Sequence, residues 1–105
     1  MSGTTKGTPR KRPYDVKRKL ARAAAKVPGL VRRDFGTGRT DGKCCVIGAY
    51  NKAHGRHEQA VTAAAEALGL ETSEVWSIIC GFDGERYDDN WGRIGEELAR
   101  EFGVL

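Results

Sequence analysis

Residues 42–57, GKCCVIGAYNKAHGRH, place two adjacent cysteines and two nearby histidines in one short stretch of the chain. Thiolates and imidazoles are ligands that zinc prefers, and a thiol beside an imidazole is also the pattern of a cysteine nucleophile with its base. Three interpretations are therefore open for Cys44, Cys45, His54 and His57. They could form a metal site, a catalytic pair, or an apolar helix that ends in a polar turn.

The spacing of these residues argues against a metal site. Structural zinc sites usually show paired ligands at short, regular intervals, whereas a glycine that can end a helix separates His54 from His57. Cys44 and Cys45 would point to different faces of a helix, so both cannot easily bind one ion. A four-ligand site with Cys80 would need the fourth helix to return to this stretch. We therefore expect no metal and no cofactor, and expect Cys44 or Cys45 to be a small buried apolar residue.

A cysteine nucleophile is compatible with the physics of helix ends, because the N-terminus of a helix lowers the pKa of a nearby thiol. If a helix begins near residue 43, with Asp41 as its N-cap, Cys44 lies in the first turn. A thiol hydrolase also needs an oriented base and an oxyanion hole, and no sequence feature marks either one. We therefore expect no catalytic residue and no enzymatic activity.

Two other stretches resemble ligand-binding loops, one for phosphate and one for calcium, but neither has the required spacing. In the loop RDFGTGRTDGKC, Thr37 stands where a phosphate-binding P-loop needs its first glycine, and Cys44 replaces the hydroxyl residue. The acidic run FDGERYDDN lacks the oxygen spacing of a calcium loop. We interpret the first as a functional loop lined by Arg32, Arg33 and Arg39, and the second as a turn that leads into a helix.

Charge is distributed unevenly along the 105 residues. Residues 1–29 hold nine Lys and Arg and one acid, a net charge of +8, and residues 30–105 hold nine Lys and Arg and thirteen acids, a net charge of −4. The two parts sum to the net charge of +4 for the whole chain. A basic arm on a mildly acidic body indicates a polyanionic partner such as nucleic acid. The candidate phosphate contacts are Arg10, Lys11, Arg12, Lys17, Arg18, Lys19, Arg22, Lys26, Arg32 and Arg33.

The elements that must position these residues are predicted to be helical. Residues 1–12 are polar and basic and predict a disordered tail. Beyond them the sequence predicts one domain, residues 13–105, in which a basic helix (13–27) joins a helical body (43–105). Apolar spacing predicts helices over residues 13–27, 44–54, 57–68, 73–82 and 90–102. A short extended piece is predicted at residues 30–32. The fold class is therefore all-α, a small orthogonal bundle of about five short helices.

Capping and packing follow from the same pattern. Ser73 is the predicted N-cap of the fourth helix, and Asp89 or Asn90 that of the fifth. One face of the last helix is predicted to pack against Trp76 and Ile79. That face consists of Trp91, Ile94, Leu98 and Phe102.

The sequence predicts a cytoplasmic protein with free thiols. The longest apolar run, Cys44–Tyr50, is far too short to cross a bilayer, and residues 1–13 lack the apolar core of a secretory signal. Three cysteines without paired spacing do not form a disulfide framework. Membrane-surface binding is not favoured, because the basic helix has no aromatic anchor beyond Tyr14.

Two stretches, DGKCCVIGAYNKAHG and WSIICGFDG with the helix after it, resemble small uncharacterised helical proteins of actinobacteria and their phages. In those proteins a C-x-x-G-A helix follows a loop, and an acidic turn, here Phe82-Asp83-Gly84, precedes a last helix. The similarity spans roughly residues 35–102 and excludes the basic arm. It implies a helical fold and lends no activity and no catalytic residue.

Three functions remain as hypotheses. The first is a non-enzymatic module that binds nucleic acid through the basic arm. The second is a phage or accessory protein that binds and modulates a host protein, since a small helical body with two tryptophans suits a partner's groove. The third, a cysteine-dependent enzyme, has only the thiol and imidazole in its favour.

Overall fold

The computed structural model describes residues 13–34, 40–57, 59–85 and 89–104. Within these ranges the protein is an all-α bundle of five helices without a β-strand, which confirms the predicted fold class. No helix in the described part of the chain is both long and apolar enough to span a bilayer. The helices are α1 (Pro13–Ala24), α2 (Val46–Ala53), α3 (Val61–Leu68), α4 (Thr72–Phe82) and α5 (Asn90–Glu101).

Helix α1 is an amphipathic helix that belongs to the core. Pro13 occupies its first position, where a missing N–H costs nothing, and Asp15 lies in the first turn, where the helix dipole favours an acid. Its apolar stripe packs against α2 and α5. The stripe consists of Val16, Leu20, Ala23 and Ala24, all buried. The helix ends at Ala24, three residues before the predicted end, and single turns continue the chain to Val27.

Helix α2 begins later than predicted because the preceding backbone pairs with the loop after α1. Val31 N donates to the Cys44 carbonyl at 3.0 Å, and Cys44 N donates to the Gly29 carbonyl at 3.4 Å. This isolated bridge between Leu30 and Cys44 coincides with the predicted extended piece. Cys44 is therefore extended, and it does not lie in a first helical turn.

The N-cap of α2 is Cys45, so the predicted cap at Asp41 is wrong. The Cys45 Sγ accepts a hydrogen bond from Gly48 N at 3.4 Å. The Asp41 carboxylate instead accepts one from Lys43 N at 3.1 Å, which forms a local turn before the bridge.

Helix α3 begins at Val61, four residues after the predicted start at His57. The backbone before it is tied to α2, since the buried Asn51 side chain donates to the Ala60 carbonyl at 3.1 Å. Arg56 N also donates to the Asn51 carbonyl at 2.8 Å. These bonds hold the segment in turns and delay the helix.

Helix α4 has a capping box in place of the predicted Ser73 cap. The Glu71 side chain accepts from the backbone of Glu74, and Glu71 N donates to Glu74 Oε1 at 2.9 Å. Asp89 caps α5 as predicted, with its Oδ1 accepting from Gly92 N at 2.7 Å.

Two glycines allow α4 and α5 to approach backbone to backbone. A Cβ on Gly81 would collide with the Gly92 carbonyl oxygen, and a Cβ on Gly95 would collide with the Ile78 carbonyl oxygen. The close crossing buries Ile78, Phe82 and Leu98 completely. Any side chain larger than hydrogen at either glycine would therefore separate the two helices.

The predicted packing of α5 is correct for Ile94 and Leu98, which are buried, and Trp91 packs partly buried against the core. The predicted packing is wrong for Trp76, which is 46% exposed, and for Phe102, which is 37% exposed at the end of α5.

Buried positions of α4 follow the i, i+3, i+4, i+7 stripe of Val75, Ile78, Ile79 and Phe82. Trp76 lies off that stripe and faces outward.

Gly95→Ala tests the close crossing. Alanine normally stabilises a helix by about 1 kcal/mol over glycine, but here its methyl group meets the α4 backbone. We expect the free energy of unfolding to fall by roughly 1–3 kcal/mol or more in chemical denaturation. Glu96→Ala, at the adjacent exposed position, is the control and should change stability by less than about 0.5 kcal/mol. A stabilised Gly95→Ala variant would contradict the close approach.

Candidate functional site

The cysteines and histidines of residues 44–57 do not converge. Cys44 and Cys45 are buried, whereas His54 and His57 are exposed at the far end of α2 and beyond it. Among the residues that the structure describes, no group of three or more His, Cys, Asp or Glu is placed to hold a metal ion. Both cysteines belong to the apolar core, as the sequence predicted for one of them.

The thiol at the start of α2 belongs to Cys45, and burial controls its acidity. Burial raises the pKa of Cys45 to about 12, against the opposing hydrogen bonds from the backbone N–H groups of Gly48 and Ile47. The nearby Asp83 carboxylate also raises this pKa. Helix N-termini lower thiol pKa values when the thiol is accessible to water. Here desolvation outweighs that effect at Cys45, and Cys44, the residue predicted in the first turn, lies before the helix.

Arg32 and Arg33 fasten the loop after α1 to the end of α4. Arg32 Nε donates to the Phe82 carbonyl at 2.8 Å, and its guanidinium lies against the backbone of Gly84. Arg33 N donates to the Asp83 carboxylate at 2.7 Å. Burial is the largest influence on Asp83 and raises its pKa, against the lowering effect of that hydrogen bond. The Arg32 guanidinium thus stabilises the C-terminus of α4, where cations are favourable.

The cations of α1 fall on two sides of its buried stripe. Lys17 lies over α5, where its Nζ is 3.1 Å from Glu97 Oε1 and 2.6 Å from Glu101 Oε2. These hydrogen bonds, first to Glu101 and then to Glu97, raise the pKa of Lys17. Arg18 is exposed on the outer surface, with its guanidinium 5.7 Å from the centroid of the Tyr14 ring. The predicted contacts Arg10, Lys11 and Arg12 lie outside the described residues.

On the other side of α1, three cations line one wall of a groove of about 490 Å³. Successive residues of an α-helix are rotated by about 100°, so Lys19 and Arg22 share the side of α1 away from Lys17. Lys26 follows in the turn after the helix and lines the same groove. Within the described chain, Arg22 and Lys26 take part in no salt bridge. None of the described residues that line the groove carries a carboxylate. Arg22 and Lys26 therefore give this wall positive charge that no described ion pair neutralises.

The opposite wall of the groove is aromatic. Tyr50 and His54 lie one turn apart on α2, with ring centroids 4.6 Å apart and an interplanar angle of 52°. Arg56 also contacts the Tyr50 ring, with its guanidinium carbon 5.2 Å from the ring centroid. The Arg56 side chain is itself fixed by a hydrogen bond from its Nε to Asn51 Oδ1 at 3.1 Å.

Three alanines complete the lining of the groove: Ala23 of α1, Ala53 of α2 and Ala67 of α3. Their methyl groups leave the space between the helices open, so the groove exists because small side chains occupy these positions. The cations were identifiable from composition alone. The aromatic and alanine walls were not, because no local pattern shows that α1 packs beside α2.

In comparisons with known proteins, no family model, curated protein or solved structure matches the chain. The arrangement of side chains in the groove is therefore the basis for a functional proposal.

Thiol labelling tests the buried state of Cys45. With a pKa of about 12, its thiolate is on the order of 1,000-fold scarcer near pH 8 than for a thiol with the ordinary value. We expect iodoacetamide to modify the half-buried Cys80 first and to reach Cys44 and Cys45 only after denaturation. Peptide mass mapping identifies the modified residues, and the denatured chain is the control. Rapid labelling of Cys45 in the folded protein would contradict the buried N-cap.

Removal of the Lys17 ammonium tests the contact between α1 and α5. Both carboxylates are partly exposed, so Lys17→Met should lower the free energy of unfolding by no more than about 1 kcal/mol at low salt. High salt should screen most of that loss. Lys26→Met, in the turn after α1 and on the groove side, is the control and should show no such salt-dependent loss.

The pH dependence of this contact has a definite sign. The folded-state pKa of Lys17 is raised, so its stabilising effect is complete below the unfolded value of about 10.4 and is lost as pH rises through the folded value. The difference between wild type and Lys17→Met should therefore persist at neutral pH and vanish in strongly alkaline solution. An unchanged difference across that alkaline range would contradict the ion pair.

Proposed function

We propose that this protein is a non-enzymatic nucleic-acid-binding module that holds the phosphate backbone along the groove beside α1. The observation that supports it most strongly is the row of Lys19, Arg22 and Lys26 on one wall, with no carboxylate among the described lining residues. Phosphate contacts supply much of the affinity of nucleic-acid-binding proteins, and accessible Lys and Arg side chains make many of them. The net charge of +8 in residues 1–29 extends the same electrostatic attraction.

Some of the basic residues make contacts within the protein, and we assign the others to phosphate binding. Lys17 is engaged with α5 and Arg32 with the end of α4, so we assign neither a primary role in phosphate binding. Arg22 and Lys26 are exposed, and together with Lys19 they form the core of the proposed contact. Arg10, Lys11 and Arg12 precede α1 in the sequence and are proposed to add charge.

Charge reversal on the full chain tests the proposal. Arg22→Glu with Lys26→Glu should weaken binding of a fluorescent oligonucleotide by at least about 10-fold, because two phosphate contacts become repulsive. If about four to six phosphates are neutralised, the log–log salt slope on duplex DNA should be roughly −4 to −5, and the double variant should reduce its magnitude by about two.

A matched control separates the groove from net charge. Arg93→Glu with Arg100→Glu makes the same change in net charge at exposed positions of α5. We expect a much smaller loss of affinity for this variant. Equal losses in the two variants would mean that total charge, and not the groove, determines binding, and an absence of salt-dependent binding by the wild type would refute the proposal. Full-length variants are essential, because removing α1 would also remove the buried Val16 and Leu20.

A second candidate function, binding to a host protein, rests on Trp76. This ring borders a shallow groove of about 710 Å³ between α3 and α4, beside Ala60, Val61 and Ala63. Exposed tryptophans are common at protein interfaces. Trp76→Ala should leave oligonucleotide binding unchanged under the first proposal. This candidate would become the better account if the wild type binds no nucleic acid.

A further inference from the structure

We infer that the groove beside α1 accepts single-stranded nucleic acid, with one base stacked on His54 and its phosphates on Lys19, Arg22 and Lys26. The inference rests on the proposed function and deepens it, because it names the form of nucleic acid and the residue that recognises a base. Three observations support it: the size of the groove, the aromatic wall and the alanine lining.

The groove has the size of a nucleotide-binding cleft. Its volume of about 490 Å³ lies within the range of roughly 300–1,000 Å³ that is usual for small-molecule pockets. A base can enter such a cleft only if it is free to leave its own stack and turn outward, as in a single strand. In a duplex the bases are paired and stacked, so a duplex could reach the cations on the rim and leave the interior empty.

The aromatic wall offers one accessible stacking face. Tyr50 is buried, so its ring mainly supports its neighbour, whereas His54 is exposed where α2 ends. Proteins that bind single strands combine a cationic groove with aromatic side chains on which bases stack, and histidine is among them. Cations on one wall and an imidazole on the other reproduce that combination across the width of the groove.

The alanine lining explains why the groove is open, and it allows a steric test. Ala67 is exposed on α3 and contributes to the lining of the groove. The larger side chain of Ala67→Leu would therefore fill part of the groove without changing its charge. Leucine is also a good helix former, so the substitution suits α3. Ala63→Leu, one turn earlier on α3, is the matched control because Ala63 lines the groove beside Trp76 instead.

The experiment measures fluorescence anisotropy of full-length protein with oligothymidylate of about 12 nucleotides, its oligouridylate counterpart and a duplex of the same length. At equal salt we expect both single strands to bind at least about 10-fold more tightly than the duplex. Ala67→Leu should weaken single-strand binding by about 10-fold or more, whereas Ala63→Leu should not. Thermal melts of both variants verify that the fold is retained.

Substitutions of His54 separate stacking from charge. His54→Ala should weaken single-strand binding by roughly 5–100-fold, the usual effect of losing one stacked base. It should change duplex binding by less than about twofold. His54→Phe keeps a stacking surface and should retain most of the affinity, whereas His54→Lys keeps only charge and should not.

Each contrary result has a distinct meaning. Equal affinity for duplex and single strand, or restoration of binding by His54→Lys and not by His54→Phe, would overturn the stacking inference and leave the proposed function intact. Equal losses from Ala67→Leu and Ala63→Leu would overturn the assignment of the base to this groove. Absence of binding to all three oligonucleotides would refute the proposed function and this inference with it.

Discussion

Burial of the apolar stripe of α1 is the constraint on which the rest of the described structure depends. Val16 and Leu20 are completely buried, and full burial of such a side chain is worth about 1.5–3 kcal/mol. The ion pairs of Lys17 on the same helix are partly exposed, a setting in which each contributes about 0–1 kcal/mol. Apolar packing therefore positions α1, and the charges follow from that position. Lys17 is directed to α5, and the cations on the opposite side are directed to the groove beside α2.

The close crossing of α4 and α5 positions the groups that contact Lys17 and Arg32. Gly81 and Gly95 allow the two backbones to meet, which buries Phe82 and Leu98 between them. Helix α5 then presents Glu97 and Glu101 to Lys17, and the end of α4 accepts Arg32 from the loop after α1. Lys17 of the basic first part of the chain and Arg32 of the loop after it are thereby committed to internal contacts. The proposed polyanion-binding surface is therefore smaller and more localised than the charge of residues 1–29 indicates.

The sequence predicted the fold class and most of the core, because helical periodicity is a local signal. It placed Ile94 and Leu98 in the core and Asp89 at the start of α5, and it predicted a buried cysteine near residue 44. Periodicity failed where tertiary hydrogen bonds override it. The bridge between Leu30 and Cys44 moves the start of α2, and Asn51 holds the segment before α3 in turns.

The candidate site was less predictable than the fold for a related reason. Basic residues are visible in a sequence, but the groove requires α1, α2 and α3 to contribute to one surface. In the sequence, His54 suggests thiol or metal chemistry, since the cysteines lie in the same stretch. Burial of the cysteines and exposure of His54 separate these groups, and the imidazole joins the cations of α1 instead.

A backbone amide NMR titration of the full-length, ¹⁵N-labelled protein with a short oligothymidylate tests the central claim most directly. The account predicts that the largest shifts map to Lys19, Arg22, Lys26 and His54 around the groove, with small changes at Trp76 and Glu97. Shifts concentrated on α3 and α4 around Trp76, or an absence of shifts at the groove, would contradict it.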